Sequence, residues 1–148
     1  NVMDGYYNNP EASNTVLSPD GWLHTGDLGV LDPDGYLYIK GRSKSLILGP
    51  SGQNIYPEEI EDLLNAQPYI AESLVIEREG KLVALVYPDA EAMKQNKISR
   101  EALLKIIHET RKQINQQIPA YSQIARIEIH DEEFEKTPKR SIKRFLYQ

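Results

Sequence analysis

Cysteine is absent from this sequence and histidine is scarce. No cysteine occurs among the 148 residues, which excludes a disulfide framework, a thiolate metal site and a cysteine nucleophile. The three histidines, His24, His108 and His130, lie too far apart for a metal-ligand motif. We therefore expect no bound metal ion.

Long apolar runs are also missing. No stretch has the length of a signal-peptide core or a membrane-spanning helix, so we expect a cytoplasmic protein with at most peripheral membrane contact. A hydrophobic fraction of 40% beside 26% charged residues is typical of a globular domain and excludes a disordered one. Because the chain opens on "NVMDGYYNNP" rather than on Met, we expect a fragment of a longer protein.

The charge is uneven along the chain. The net charge is -5, from 17 basic and 22 acidic residues, and basic residues cluster between Lys136 and Arg144 with no acid among them. The rest of the chain is therefore strongly acidic and would repel nucleic acid, whose binding needs many cationic contacts to phosphates. We expect no nucleic-acid partner, and a single small phosphate is the favoured target of the basic segment.

Two turn signals predict β-hairpins. In "DPDGY", Pro33 presets the first turn angle and Gly35 accepts a positive φ. Later, "EG" at 79–80 separates "ESLVIER" from "KLVALVY", which predicts a tight antiparallel turn. The alternating pattern of "IARIEIH" predicts a third strand for the same sheet.

Helices are predicted around this sheet. Pro57 suits the first position of one helix, and Ser99 can cap another that runs to Ile118. The stretch 141–147 is predicted to add a short final helix. The fold class is therefore α+β, a small domain with roughly three strands flanked by helices and preceded by a β-hairpin of different character.

Three short segments could carry chemistry, and each also has a plain structural interpretation. "GWLHTGDLG" fits a simple turn, "GRSKSLI" fits a strand edge with solvated cations, and "FEKTPKRSIKR" fits a charged tail. Taken in order with "NVMDGYYNNPEAS" and "NIYPEEIE", however, they resemble the C-terminal part of the adenylate-forming (AMP-binding) enzymes. This superfamily includes acyl-CoA synthetases, luciferases and peptide-synthetase adenylation domains, and the resemblance covers essentially the whole chain.

The resemblance implies two domains and a reaction in two halves. Residues 1–42 would be the C-terminal end of the large AMP-binding domain, and residues 43–148 would be the mobile C-terminal lid. In the family, a carboxylic acid attacks the α-phosphate of Mg-ATP to give an acyl-adenylate and pyrophosphate, and a thiol then displaces AMP. The resemblance thus implies ATP, Mg²⁺ and coenzyme A as substrates, none of them tightly bound to this fragment.

Nucleotide-binding residues follow from the same resemblance. Asp27 matches the family aspartate that accepts hydrogen bonds from both ribose hydroxyls, a role suited to the two oxygens of a carboxylate. Arg42 matches an arginine that also contacts the ribose, and Thr25 belongs to the same T-G-D segment as Asp27.

A hinge and a thiol-binding loop are implied in the next segment. Lys44 occupies the family's hinge position, where the lid would rotate between the two half-reactions. In "LGPSGQN", Gly49 and Gly52 would let a narrow thiol arm pass close to the backbone, because neither residue has a Cβ.

The terminal segment departs from the family pattern at one position. The pattern is T-P-x-x-K-[IL]-x-R, and its lysine contacts the α-phosphate and the carboxylate during adenylation, but here that position holds Ser141. Lys139 and Lys143, two residues to either side, are the candidates to replace it, and Arg140 or outright loss are the other possibilities. We favour Lys139 at this point, because Lys143 follows the apolar Ile142 and is expected to be held in a final helix.

The substrate class rests on resemblance as well. His24 before the T-G-D segment and "EEFEKTP…IKRFLY" are most similar to long-chain fatty acyl-CoA synthetases. A peptide-synthetase-type adenylation domain and a non-catalytic phosphate- or nucleic-acid-binding module are the alternatives. The acid pocket and the ATP phosphate loop would lie in the upstream large domain, so the fragment alone is expected to be inactive.

Overall fold

The computed structural model describes residues 2–148. The chain forms two compact units. The first unit ends at Lys44, and the second runs from Ser45 to Gln148.

The first unit contains a short helix and a β-hairpin. Helix α1 (Pro10–Val16) begins where the Asn9 side chain accepts a hydrogen bond from the backbone N–H of Ala12 at 3.0 Å. This helix was missing from the sequence-based prediction. Strands β1 (Asp27–Leu31) and β2 (Leu37–Arg42) then pair antiparallel, which confirms the first predicted hairpin.

The second unit holds a three-stranded sheet, a two-stranded ribbon and three helices. In chain order its elements are β3 (Ile47–Leu48), β4 (Asn54–Ile55), α2 (Pro57–Asn65), β5 (Ile70–Arg78), β6 (Lys81–Pro88), α3 (Ala90–Gln95), α4 (Arg100–Gln117) and β7 (Ile124–Ile129). Pro57 opens α2, and the Ser99 hydroxyl accepts the N–H of Ala102 at 3.1 Å at the start of α4, as predicted. Helix α3 was not predicted.

The main sheet has the order β5-β6-β7, with β6 in the centre. Strands β5 and β6 are antiparallel and joined by Glu79 and Gly80, both at positive φ, as in the predicted tight turn. Strands β6 and β7 are parallel, and α3 and α4 lie in the connection that this pairing requires. The α+β fold class is therefore confirmed.

Both faces of the sheet are covered, which explains why β6 is apolar on both sides. One face packs against α2 and α4, through residues that include Ile60, Leu64 and Ile114. The other face packs against Phe134 and the partly buried Ile142 of the terminal segment. The terminal segment is thus part of the core and not a solvated tail.

The predicted final helix over 141–147 is wrong in most of its length. Only Arg144–Leu146 forms a 3-10 turn, while Ile142 pairs with Lys136 as an antiparallel bridge. The reason is tertiary, because the extended backbone directs the Ile142 side chain into the cluster around Leu74 and Phe134.

Candidate functional site

The predicted nucleotide-binding residues meet at one end of the first hairpin. The register of β1 and β2 places Asp27 opposite Arg42, and the Arg42 guanidinium donates to the Asp27 carboxylate. The Thr25 hydroxyl accepts the backbone N–H of Asp27 at 3.1 Å. Gly26, between them, has φ +75°, which favours glycine at that position. The T-G-D segment and the end of β2 thus form one polar cluster.

Asp27 is ionised and open to solvent. The hydrogen bond from Arg42 lowers the pKa of the Asp27 carboxyl, and the hydrogen bond with Thr25 acts in the same direction. The side chains of Asp27 and Arg42 are 36% and 60% exposed. An exposed carboxylate held in place by a cation can accept hydrogen bonds from a ligand diol.

Lys44 lies in the 3-10 turn Ser43–Ser45, directly after β2. The turn begins with the N–H of Ser43 donating to the carbonyl of Gly26 at 2.8 Å. Lys44 is the last residue of the first unit, and the second unit begins with the next residue.

The glycine-rich segment forms a compact loop between β3 and β4. The N–H of Gly49 donates to the carbonyl of Gln53 at 2.8 Å, and the N–H of Gly52 donates to the carbonyl of Gly49 at 2.9 Å. Gly52 has φ +81° and open space where a Cβ would lie. The loop forms one wall of a cavity of about 480 Å³, whose lining includes Leu48, Pro50, Lys81 and Tyr121.

The predicted lysine segment is a β-hairpin, which we call the terminal hairpin and define as residues 135–143. Two backbone hydrogen bonds hold it, from the N–H of Thr137 to the carbonyl of Ser141 at 2.9 Å and from the N–H of Lys143 to the carbonyl of Glu135 at 2.8 Å. Lys139 is exposed in the turn at its tip, and Arg140 follows at φ +62°. This is a three-residue hairpin loop.

The lysines of the terminal hairpin differ in their partners. Lys136 pairs with Glu72 of β5 at 2.6 Å and also with Glu133. The Lys143 ammonium lies 3.0 Å from the carboxylate of Glu135. Lys139 makes no hydrogen bond or ion pair within residues 2–148.

Arg144 and Glu61 form a buried ion pair for which sequence reasoning assigned no role. The Arg144 guanidinium donates to the Glu61 carboxylate and, at 3.1 Å, to the carbonyl of Val75. Burial raises the pKa of Glu61, and the charge of Arg144 partly opposes that rise. The sequence does indicate that Glu61 is buried, because it lies four residues after Pro57 and three before Leu64 on one face of α2, but it does not indicate that Arg144 is its partner.

The described part of the chain contains neither a metal cluster nor a membrane span. No group of three or more His, Cys, Asp or Glu side chains among residues 2–148 is arranged to hold a metal ion. No helix in that range has the length and apolar character needed to cross a membrane.

Comparison with known proteins identifies relatives along most of the chain. The chain is 49% identical over 90 residues to indoleacetate–CoA ligase of Aromatoleum aromaticum, covering 58% of this chain and 17% of that protein. It is 39% identical over 109 residues to 2-succinylbenzoate–CoA ligase of Bacillus cereus strain AH820, covering 74% and 22%. It is 33% identical over 153 aligned residues to probable acyl-activating enzyme 4 of Arabidopsis thaliana, covering 98% and 25%. The chain thus spans a quarter or less of the length of these relatives.

Solved structures share the fold. O-succinylbenzoate coenzyme A synthetase from Bacillus subtilis, in complex with AMP, matches with a TM-score of 0.70 and 28% identity, over 100% of this chain and 28% of that chain. The adenylation domain of a carboxylate reductase from Mycobacterium chelonae matches with a TM-score of 0.79 over 97% of this chain and 24% of that chain. Its identity of 24% supports the fold alone.

A family model completes the assignment. The model that describes the C-terminal domain of AMP-binding enzymes matches residues 44–147, which include the glycine-rich loop, the sheet and the terminal hairpin. The chain therefore belongs to the family of AMP-binding enzyme C-terminal domains.

Proposed function

We propose that the full-length protein containing this chain is an ATP-dependent acid–thiol ligase. It would activate a carboxylic acid as an acyl-adenylate and then transfer the acyl group to coenzyme A, with release of pyrophosphate and AMP. Family membership and the CoA-ligase names of the relatives support this reaction class. Within the chain itself, the observation that carries the proposal is the pairing of Asp27 with Arg42.

The Asp27–Arg42 cluster would bind the ribose of the nucleotide. The ionised carboxylate would accept hydrogen bonds from the two ribose hydroxyls, while Arg42 holds the carboxylate in place and Thr25 orients the backbone before it. ATP would enter as its magnesium complex, as in the solved Bacillus subtilis relative with ATP and a magnesium ion. The ribose contact would be used in both half-reactions, because AMP stays bound until the thiol displaces it.

The second unit would act as a lid that serves the two half-reactions in turn. Rotation at Lys44 would present the terminal hairpin during adenylation and the loop containing Gly49 and Gly52 during thioester formation. The open space beside Gly52 supports a role in which a thiol arm passes close to the backbone.

The acid itself would be selected by the upstream domain. A long-chain fatty acid is the substrate expected from the resemblance of the sequence. The named relatives act on indoleacetate and on 2-succinylbenzoate, so an aryl-substituted acid is the second candidate. For its proposed reaction, this chain would therefore need the upstream large domain as its partner.

A nucleic-acid-binding module is the less favoured alternative. Two of the five cations of the basic segment, Lys136 and Arg144, are held by partly buried or buried carboxylates. Three positive charges remain, which is few for the many phosphate contacts that nucleic-acid binding needs.

Pyrophosphate exchange in the full-length enzyme tests the proposal. We expect exchange between labelled pyrophosphate and ATP with palmitate or with an aryl acid, followed by thioester formation when coenzyme A is added. The 148-residue chain alone should show neither step. Absence of exchange with every acid of a panel that spans aliphatic and aromatic carboxylates would refute the proposed function.

A further inference from the structure

In the proposed function, adenylation brings two anions together, and the basic terminal segment would supply positive charge between them. A carboxylate and an α-phosphate repel each other, and a fixed cation at their point of contact stabilises the transition state. The segment offers five cations, at 136, 139, 140, 143 and 144. These five cations differ in the direction of their side chains and in their ion-pair partners.

Two of the five cations are held on the inner side of the segment. Lys136 is 22% exposed and pairs with Glu72 of the sheet, and Arg144 is 18% exposed and pairs with Glu61. Releasing either would leave the partly buried Glu72 or the buried Glu61 without its partner, which is costly. These two cations are therefore structural.

The register of the terminal hairpin decides which cations share a face. Lys136 and Ile142 form the bridge pair, and both point inward, since Ile142 packs in the core. Side chains alternate across a strand, so residues 135, 137, 141 and 143 project from the opposite, outer face. Ser141 and Lys143 are therefore neighbours on one face, roughly 6 to 7 Å apart along the strand.

We infer that Lys143 supplies the ammonium group for adenylation, in place of a lysine at Ser141. This inference rests on the proposed function and deepens it. Lys143 is flanked by Ile142 in the core and by Arg144 in its ion pair, so its backbone position is fixed on both sides. A cation on a fixed backbone loses less conformational entropy when it contacts the reacting groups.

Glu135 provides a second reason. The Lys143 ammonium already contacts a carboxylate oxygen of Glu135, across the two strands of the hairpin, at 3.0 Å. The Glu135 side chain is 66% exposed, and an exposed ion pair contributes little to stability, about 0 to 1 kcal/mol. A substrate anion can therefore take the place of Glu135 without disrupting the core.

Lys139 is the weaker candidate in this arrangement. Lys139 is exposed in the turn that precedes Ser141, and it has no partner within residues 2–148 that would orient its ammonium group. Nothing next to it in the turn is buried, whereas both neighbours of Lys143 are anchored. The preference based on sequence alone is thus reversed by the hairpin geometry.

Single-lysine variants of the full-length enzyme test the inference. Adenylation is measured by pyrophosphate exchange, and thioester formation is measured from supplied acyl-adenylate and coenzyme A. Lys143→Ala should lower adenylation by about 100-fold, the usual effect of losing one charge-stabilising donor, and leave thioester formation close to that of the parent enzyme. Lys105→Ala, which removes an exposed lysine from α4, is the matched control and should change neither step.

A rescue variant separates chemistry from folding. The double variant Ser141→Lys/Lys143→Ala should recover most of the adenylation lost in Lys143→Ala, because it returns an ammonium group to the same face. Normal adenylation in Lys143→Ala, or a selective loss in Lys139→Ala, would overturn the inference, and so would a double variant as inactive as Lys143→Ala. A parent enzyme with no pyrophosphate exchange would instead overturn the proposed function itself.

Discussion

The guanidinium of Arg144 pairs with the carboxylate of Glu61, which lies 83 positions earlier in the chain. Both side chains also form hydrogen bonds with the backbone of Val75. The Glu61 carboxylate accepts the N–H of Val75 at 2.6 Å, and the Arg144 guanidinium donates to the carbonyl of Val75 at 3.1 Å. Val75 belongs to β5, an edge strand of the sheet. The ion pair thus occupies the backbone groups that a neighbouring strand would otherwise bind, and it attaches the terminal segment to that edge.

Removing Arg144 should destabilise the chain. Arg144→Met leaves the buried Glu61 carboxylate without its counter-ion and removes a donor to the carbonyl of Val75, which should cost about 2 to 4 kcal/mol of unfolding free energy at pH 7. Chemical denaturation followed by circular dichroism measures the difference. Lys105→Met, at an exposed position of α4, is the control and should lie within about 0.5 kcal/mol of the parent. An Arg144→Met chain as stable as its control would show that the pair is dispensable.

The stability difference between the parent and Arg144→Met should depend on pH. Burial raises the pKa of Glu61 above its ordinary value of 4.5 and Arg144 opposes that rise, so the pKa of Glu61 should rise further when Arg144 is lost. The folded variant therefore binds the proton more tightly than the folded parent, and the variant regains stability relative to the parent as the pH falls. The difference should be full at the high end of the pH range and shrink towards the low end. Denaturation series from pH 4 to pH 8 check this, and a constant difference would contradict a raised pKa.

Replacing Asp27 should impair both half-reactions of the full-length enzyme. Asp27→Ala removes the proposed acceptor for the ribose hydroxyls and leaves Arg42 without its partner. We expect kcat/KM to fall by roughly 100-fold in adenylation and by a similar factor in thioester formation. Asp34→Ala, in the turn of the same hairpin, serves as the control. Kinetics of Asp27→Ala that match those of Asp34→Ala would mean that Asp27 is only a turn residue.

Restricting the backbone at Lys44 should separate the two half-reactions. Lys44→Pro fixes φ near about −65° and so should trap one arrangement of the second unit. One half-reaction is expected to fall at least about tenfold relative to the other, whereas Lys44→Ala should keep their ratio because the backbone can still rotate. The ratio of initial rates in the two assays is the measurement. An equal loss of both in a folded Lys44→Pro enzyme would argue against a hinge at this residue.

The proposed role of the glycine-rich loop in thioester formation can be tested by comparing Gly52 with a control glycine outside the loop, Gly35, at which an alanine should cost the same stability. Gly52 and Gly35 have φ +81° and +88°, and at both residues the space that a Cβ would occupy has no heavy atom within 4 Å. Alanine at either should cost about 1 kcal/mol of stability. Only Gly52→Ala should slow thioester formation, because its methyl group would stand in the proposed path of the thiol, while adenylation persists. Equal thioester rates in Gly52→Ala and Gly35→Ala would remove the loop from that path.

Local signals were sufficient for most of the elements. The turn at Gly35, the turn at Gly80, the helix start at Pro57 and the cap at Ser99 were all predicted, because each depends on backbone preferences of a few adjacent residues. The short helices α1 and α3 were missed, since segments of seven and six residues carry little periodicity to recognise. The final helix was mispredicted because Ile142 is drawn into a core formed by residues far away in the sequence.

The family and the order of most strands and helices follow from the amino-acid sequence, because the motifs occur in a fixed order along the chain and can be identified without knowing how it folds. Which cations of the terminal segment are available to a ligand depends instead on the three-dimensional packing. Whether Arg144 is a surface cation or the partner of Glu61, and whether Lys143 shares a face with Ser141, depends on a hairpin register and on a contact across 83 positions. Such contacts are set by packing against the sheet and not by neighbouring residues, so no local pattern in the sequence contains them.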